Sequence, residues 1–144
     1  MKISQRGINL IKKWEQFRAE AYLCPANVWT QGYGHTRTVN QHSQIIAEYT
    51  AEEFLRTDLY ITEEQLRPLL KDLTLKQCQY DAIVSFCFNL GVGAFKKSTA
   101  YRHMTNNPNG KLIADSWIQY RNAGGKYLRG LLLRRLDELS LYYS

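Results

Sequence analysis

The chain is poor in the residues that staple or interrupt a fold. It has three cysteines, Cys24, Cys78 and Cys87, so one thiol stays free however they pair. That points to a reduced compartment or to free thiols throughout. If Cys78 and Cys87 share a helix, nine residues at about 100° each place them on opposite faces, where they do not bridge. A single cysteine with any of the three histidines, His35, His42 or His103, is too thin a set for zinc, and no Cys-His-Asn partnership marks a cysteine protease. No metal and no organic cofactor is implied. Long apolar runs are also missing, so neither a signal peptide nor stable membrane insertion is expected. There is no RNP sequence or zinc finger, which argues against a nucleic-acid partner, and no internal repeat or low-complexity tract.

What remains is ordinary globular composition: 144 residues, 44% apolar and 22% charged, enough for one domain with a sizeable core. Nineteen Lys and Arg against thirteen Asp and Glu give a formal charge of +6. The excess is unevenly placed. From Lys96 to Arg135 there are nine bases (Lys96, Lys97, Arg102, Lys111, Arg121, Lys126, Arg129, Arg134 and Arg135) and one acid, Asp115. A basic half of this kind attracts polyanions: nucleic acid, an anionic membrane face or an acidic bacterial wall.

Along the chain, Ser4 is placed to cap a helix whose apolar positions Leu10, Ile11 and Trp14 fall three and four apart, with Glu15 in its last turn. Residues 19–36 change character: Tyr22, Val28, Trp29, Thr30 and Tyr33 favour strands, and Pro25-Ala26-Asn27 supplies a turn. Alternation predicts Thr30, Gly32, Gly34 and Thr36 on one small, open face. Residues 37–49 are polar and irregular. A helix signal resumes at Thr50-Ala51-Glu52-Glu53 as one long helix or two, with Pro68 ending or kinking it before Leu70. The most apolar helix starts at Thr74-Leu75 and closes at Gly91; being apolar all round, it is the predicted central core helix. Further helices are predicted at 98–106, 112–122 and 129–142.

Glu15 is the leading chemical candidate. A carboxyl at a helix C-terminus sits in partial negative charge, and flanking aromatics, Trp14 and Phe17, would desolvate it; both effects favour the protonated form that a general acid needs. A nearby cation such as Arg18 or His35 would offset them. Read by itself, Glu15 is a solvated surface glutamate, and Thr30 a β-branched strand former.

Three stretches alter that reading. Glu15, Cys24 and Thr30 follow the spacing E-x8-C-x5-T, and Thr30 opens the run Thr30-Gln31-Gly32-Tyr33-Gly34-His35-Thr36. The block from Gln79 to Thr99 has the form D-A-x-x-S-x-x-F-N-x-G…F…S-T. Trp117, Gly125, Gly130-Leu131 and Arg134-Arg135 with Glu138 close the chain. In this order and spacing the sequence resembles the bacteriophage-type lysozymes, glycoside hydrolase family 24. The resemblance implies an α+β, lysozyme-like fold: a mostly helical single domain over residues 1–144, with a small antiparallel β-sheet lobe at about 15–50. The larger helical lobe is about 70–144 plus the N-terminal helix, and the active-site cleft lies between the two. It implies a muramidase acting on the β-1,4 bond between N-acetylmuramic acid and N-acetylglucosamine of peptidoglycan. Glu15 would be the acid and Thr30 the group that positions water, with Cys24 at the site of a second group that is Asp or Cys in the family. Gly34, Thr36, Phe88, Asn89 and Ser98 would contact substrate. His35 would be structural, tied to Asp58. A monomer is implied, made in the host cytoplasm without a signal peptide and acting on the wall after release.

Departures from the family pattern are Gln16 in place of the usual Gly after the acid, Trp14 for Phe, and Gln31 for an apolar residue. Asn40-Gln41-His42-Ser43 lacks the usual Gly. Two other readings compete: a lytic transglycosylase giving 1,6-anhydro products, and a non-catalytic cationic protein that binds wall or membrane through residues 96–135.

Overall fold

A computed structural model describes all of the chain, Met1–Ser144. Helix α1, Gln5–Glu15, begins where the Ser4 side chain accepts from the Gly7 N–H, the predicted cap. The same hydroxyl donates to Asp81 of a later helix, and the Ser4 N–H donates to Asp81 Oδ1 at 2.9 Å, so the cap also docks α1 on the core.

Strands β1, Arg18–Leu23, and β2, Trp29–Gly32, form an antiparallel hairpin, with Leu23 opposite Trp29 and Tyr22 opposite Thr30. The predicted alternation through Thr36 stops at Gly32. Gly32 and Gly34 both take positive φ (66° and 75°), so the chain turns and closes on itself by a Gln31–His35 bridge. Gln31, Tyr33 and His35 are buried with Thr30, while Thr36 is exposed. The polar side chain at Gln31, a departure from the pattern the sequence resembles, has a use here. Its amide donates to Ala19 O at 2.9 Å and Gln44 O at 2.6 Å, stitching the hairpin to the segment that follows.

Helix α2, Glu48–Leu70, is a single helix and starts two residues before the predicted capping box, behind Ala47. Pro68 does not end it early. It lies in the last turn, where the helix has only two residues left to lose, and the chain stays helical to Leu70. The core helix is α3, Gln77–Leu90, starting three residues later than predicted, with Gln79 Oε1 accepting from the Lys76 N–H at 2.8 Å. Every residue from Gln79 to Cys87 is buried. Phe86 meets Trp117 at 4.8 Å and Tyr120 at 5.1 Å on its apolar side, while Gln77, Asp81, Ser85 and Asn89, four residues apart, form a polar row whose side chains bond within the fold.

Beyond it come α4 (Val92–Lys97), α5 (Thr99–Asn106), α6 (Leu112–Trp117) and α7 (Arg129–Tyr142). Helix α4 was not predicted. The helix predicted over 112–122 is cut short at Trp117, and an unpredicted hairpin follows, β3 (Asn122–Ala123) and β4 (Lys126–Tyr127), turning at Gly124-Gly125, both at positive φ. Helix α7 packs on α3 and brings Arg134, Arg135 and Glu138 inside. No helix is long and apolar enough to cross a membrane.

Candidate active site

Glu15 ends α1, and Gln16 after it adopts φ 57°, ψ 150°, a backbone region in which glycine is the usual occupant. That turn releases the chain into β1 and leaves the Glu15 side chain 17% exposed. Two groups bracket it. Arg134 of α7 donates from Nη1 to Glu15 Oε1 at 2.6 Å. On the other side stands Gly34: a methyl group built on its Cα would lie 2.6 Å from Glu15 Oε2. A side chain there would have to displace the Glu15 carboxyl.

The cation facing Glu15 is therefore neither Arg18 nor His35. Arg18 lies over the Tyr22 ring at 4.2 Å, and His35 is engaged elsewhere. Arg134 is in turn anchored: Nε donates to Glu138 Oε1 at 3.2 Å and Nη2 to Ser85 O at 3.3 Å. Glu138, fully buried, also accepts from Ser85 Oγ (2.8 Å), Trp117 Nε1 (2.9 Å) and Arg135 Nη2 (2.9 Å). Two carboxylates and two guanidiniums thus alternate inward from the cleft, each desolvated charge facing an opposite one. The flanking Trp14 is held the same way from α7, its indole N–H donating to Asp137 Oδ2 at 2.9 Å.

Across the hairpin, Thr30 is buried and donates to Val28 O at 2.9 Å. Cys24, a half-buried free thiol, faces it. Burial pushes that thiol up, but hydrogen bonds from the backbone of Val28 and Ala26, and from the Thr30 hydroxyl when its proton turns to sulfur, outweigh burial and bring it below its usual 9.0. The Tyr22 phenol feels both sides of this space. Burial raises it, Arg18 draws it down, and the charges of Glu15 and Cys24 raise it again.

The residues expected at the substrate fall into two groups. Gly34, Thr36 and Phe88 line one recess of about 140 Å³ together with Arg37, Asp58 and Thr62. Asn89 and Ser98 are engaged within the fold. Asn89 Oδ1 accepts from Arg135 Nη2 at 2.8 Å. Ser98 is buried, caps α5 by accepting from the Tyr101 N–H at 3.0 Å, and donates to Phe95 O at 2.6 Å. His35 meets Asp58, Nδ1 to Oδ2 at 2.7 Å, with Nε2 3.0 Å from Thr38 Oγ1 and its ring stacked on Phe54 at 4.3 Å. No group of three or more His, Cys, Asp or Glu residues is arranged to hold a metal ion. Two neighbours of the site were not singled out for it in the sequence. Arg134 carried a signal only as part of the closing Arg134-Arg135…Glu138 pattern; Arg37 carried none.

A helical lobe joined to a small hairpin lobe, with a clamped carboxyl at their junction, defines the class of molecule as lysozyme-like. The phage lysozyme family model matches residues 12–138, and the chain belongs to that family. It is 36% identical to the endolysin of Salmonella phage P22 over 148 aligned positions, covering 100% of this chain and 99% of that protein. It is 39% identical to the endolysin of Bacillus phage B103, but spans only 55% of that protein's length. Among solved structures, the muramidase domain of SpmX from Asticaccaulis excentricus superposes with a TM-score of 0.88 at 33% identity, covering 99% of this chain and 98% of that one. A point mutant of P22 lysozyme superposes at 0.82 with 34% identity over 100% of this chain and 99% of that one.

Proposed function

We propose that the chain is a muramidase that hydrolyses the β-1,4 bond between N-acetylmuramic acid and N-acetylglucosamine in bacterial peptidoglycan. The observation that carries this reading is the clamp on Glu15. Arg134 occupies Oε1, so Oε2, on the Gly34 side, is the oxygen able to pass a proton to the leaving glycosidic oxygen. Family membership and the muramidase domain among the structural neighbours support it.

Thr30 is the group that seats the attacking water, and Cys24 stands where a second carboxylate would otherwise lie. Its sulfur is a weak acceptor beside that hydroxyl. With one carboxyl acting as acid and water delivered from the opposite face, the anomeric centre inverts. Seven bases from Lys96 to Arg129 make no ion pair within the fold, which favours adsorption to an anionic wall and makes it weaken as salt rises. The protein acts on the wall as a monomer.

Digestion of purified peptidoglycan tests the reaction. Hydrolysis yields new reducing ends heavier by one water than the 1,6-anhydro ends of a transglycosylase, and rapid NMR reads the inverted anomer first. Anhydro ends would replace the hydrolase reading with the transglycosylase. Leakage from wall-free liposomes, with no glycan cleaved, would favour the cationic binding protein.

A further inference from the structure

We infer that Arg37 binds a carboxylate of the peptide stem carried by the muramoyl unit, an inference that rests on the peptidoglycan reading above. Arg37 follows the hairpin and lines the recess shared by Gly34, Thr36, Asp58, Thr62 and Phe88. Its side chain is 54% exposed, and its Nε lies 3.6 Å from Asp58 Oδ1. Its two Nη groups bond no protein atom.

The aspartate behind it is unusually fixed. Asp58 Oδ2 is taken by His35, which is itself buried, stacked on Phe54 and engaged at its other nitrogen by Thr38. Asp58 Oδ1 is buried and accepts no hydrogen bond from the protein. The nearest cationic group is Arg37. A rigid carboxylate thus draws in the Nε edge of the guanidinium and leaves the opposite end open toward the recess. A planar pair of Nη donors at a cleft wall matches a carboxylate in two-point geometry, which a lysine would not reproduce.

The chemistry of the substrate supplies that carboxylate. A cleft that seats a muramoyl sugar must place its lactyl-linked peptide stem at the rim, and the stem bears free carboxylates. None of the unpaired bases from Lys96 to Arg129 lines this recess, so Arg37 is the base positioned to read the stem while those act on the wall at long range.

Soluble glycan fragments with peptide stems, their carboxylates either free or converted to amides, separate this role from a structural one. They are titrated calorimetrically into the full chain carrying Glu15→Gln, with Arg37 intact or changed to Gln or Lys. Arg37→Gln is expected to weaken binding of the free-carboxylate fragments about fivefold to tenfold. Amidated fragments should bind both forms alike, and Arg37→Lys should recover part of the loss. In hydrolysis by the chain with Glu15 intact, Arg37→Gln should raise KM and leave kcat unchanged. Equal weakening for free and amidated fragments would make Arg37 only the counter-ion of Asp58 and overturn the inference. So would unchanged binding of both, or no binding of either with Arg37 intact. Because Glu15→Gln reads binding without cleavage, a wild type that cuts nothing would sink the muramidase reading and leave this result separately legible.

Discussion

Gly34 lies so close beneath Glu15 that any side chain at that position would occupy the space of the Glu15 carboxyl. The contact joins the two lobes at the proposed general acid: Glu15 closes α1, Gly34 turns the hairpin segment, and a built Cβ would sit 2.6 Å from Oε2. Gly34 also has φ 75°, where an L side chain is strained by about 1–2 kcal/mol.

Gly34→Ala is therefore expected to leave a folded protein, melting a few degrees lower, whose glycan hydrolysis falls about 100-fold, because displacing an acid by about 1 Å costs on that order. Circular dichroism and initial rates on soluble glycan read the two effects separately. A variant with wild-type rates would show that Oε2 is not the working oxygen.

Gln16 presents the opposite case, a side chain where the backbone favours none. At φ 57° and ψ 150° it carries a strain of about 1–3 kcal/mol, whereas glycine adopts that conformation freely at an entropic cost of about 0.5–1 kcal/mol. Gln16→Gly should raise stability by about 1 kcal/mol, read as an increase of a few degrees in Tm. No gain in Tm would mean that the turn after Glu15 is relaxed with glutamine in place.

The fold was legible in the sequence wherever a residue type had one physical use. Ser4, the apolar face of α1 and the buried middle of α3 follow from capping and periodicity, the start of α7 follows from the breakers at Gly124-Gly125, and the family motifs ordered them along the chain. What escaped depended on tertiary partners. The short α4 and the Gly124-Gly125 hairpin are too brief to leave a period. Gln31 reads only as a polar residue in an apolar place until Ala19 O and Gln44 O are seen beside it. At the site, spacing singled out Glu15, Cys24 and Thr30. The cation that meets Glu15 lies 119 residues away in sequence, on a helix whose own charges gave no hint of that direction.

Thiol reactivity follows from the same contacts. Cys24 has a lowered pKa and is half-buried at the hairpin, whereas burial pushes the Cys87 thiol well above its ordinary value. The thiolate is the reactive form, so as pH rises Cys24 should alkylate with iodoacetamide at a lower pH than an unperturbed thiol of pKa 9.0, and Cys87 should stay unmodified in the folded chain. Mass spectrometry across a pH series locates the label. Activity should fall in step with Cys24 modification, and Cys24→Ser should resist the reagent. Label on Cys87 before Cys24 would contradict the described hairpin contacts.

The most direct measurement is the clearing of outer-membrane-permeabilised bacteria by the wild type and by Glu15→Gln, a near-isosteric change that keeps an acceptor for Arg134 and removes the acid. The variant is expected to fold as the wild type does by circular dichroism and to lose clearing by at least about 100-fold, the lower range for removing a general acid. Equal clearing by both proteins would contradict the account, and would transfer the activity from the cleft to the unpaired bases between Lys96 and Arg129.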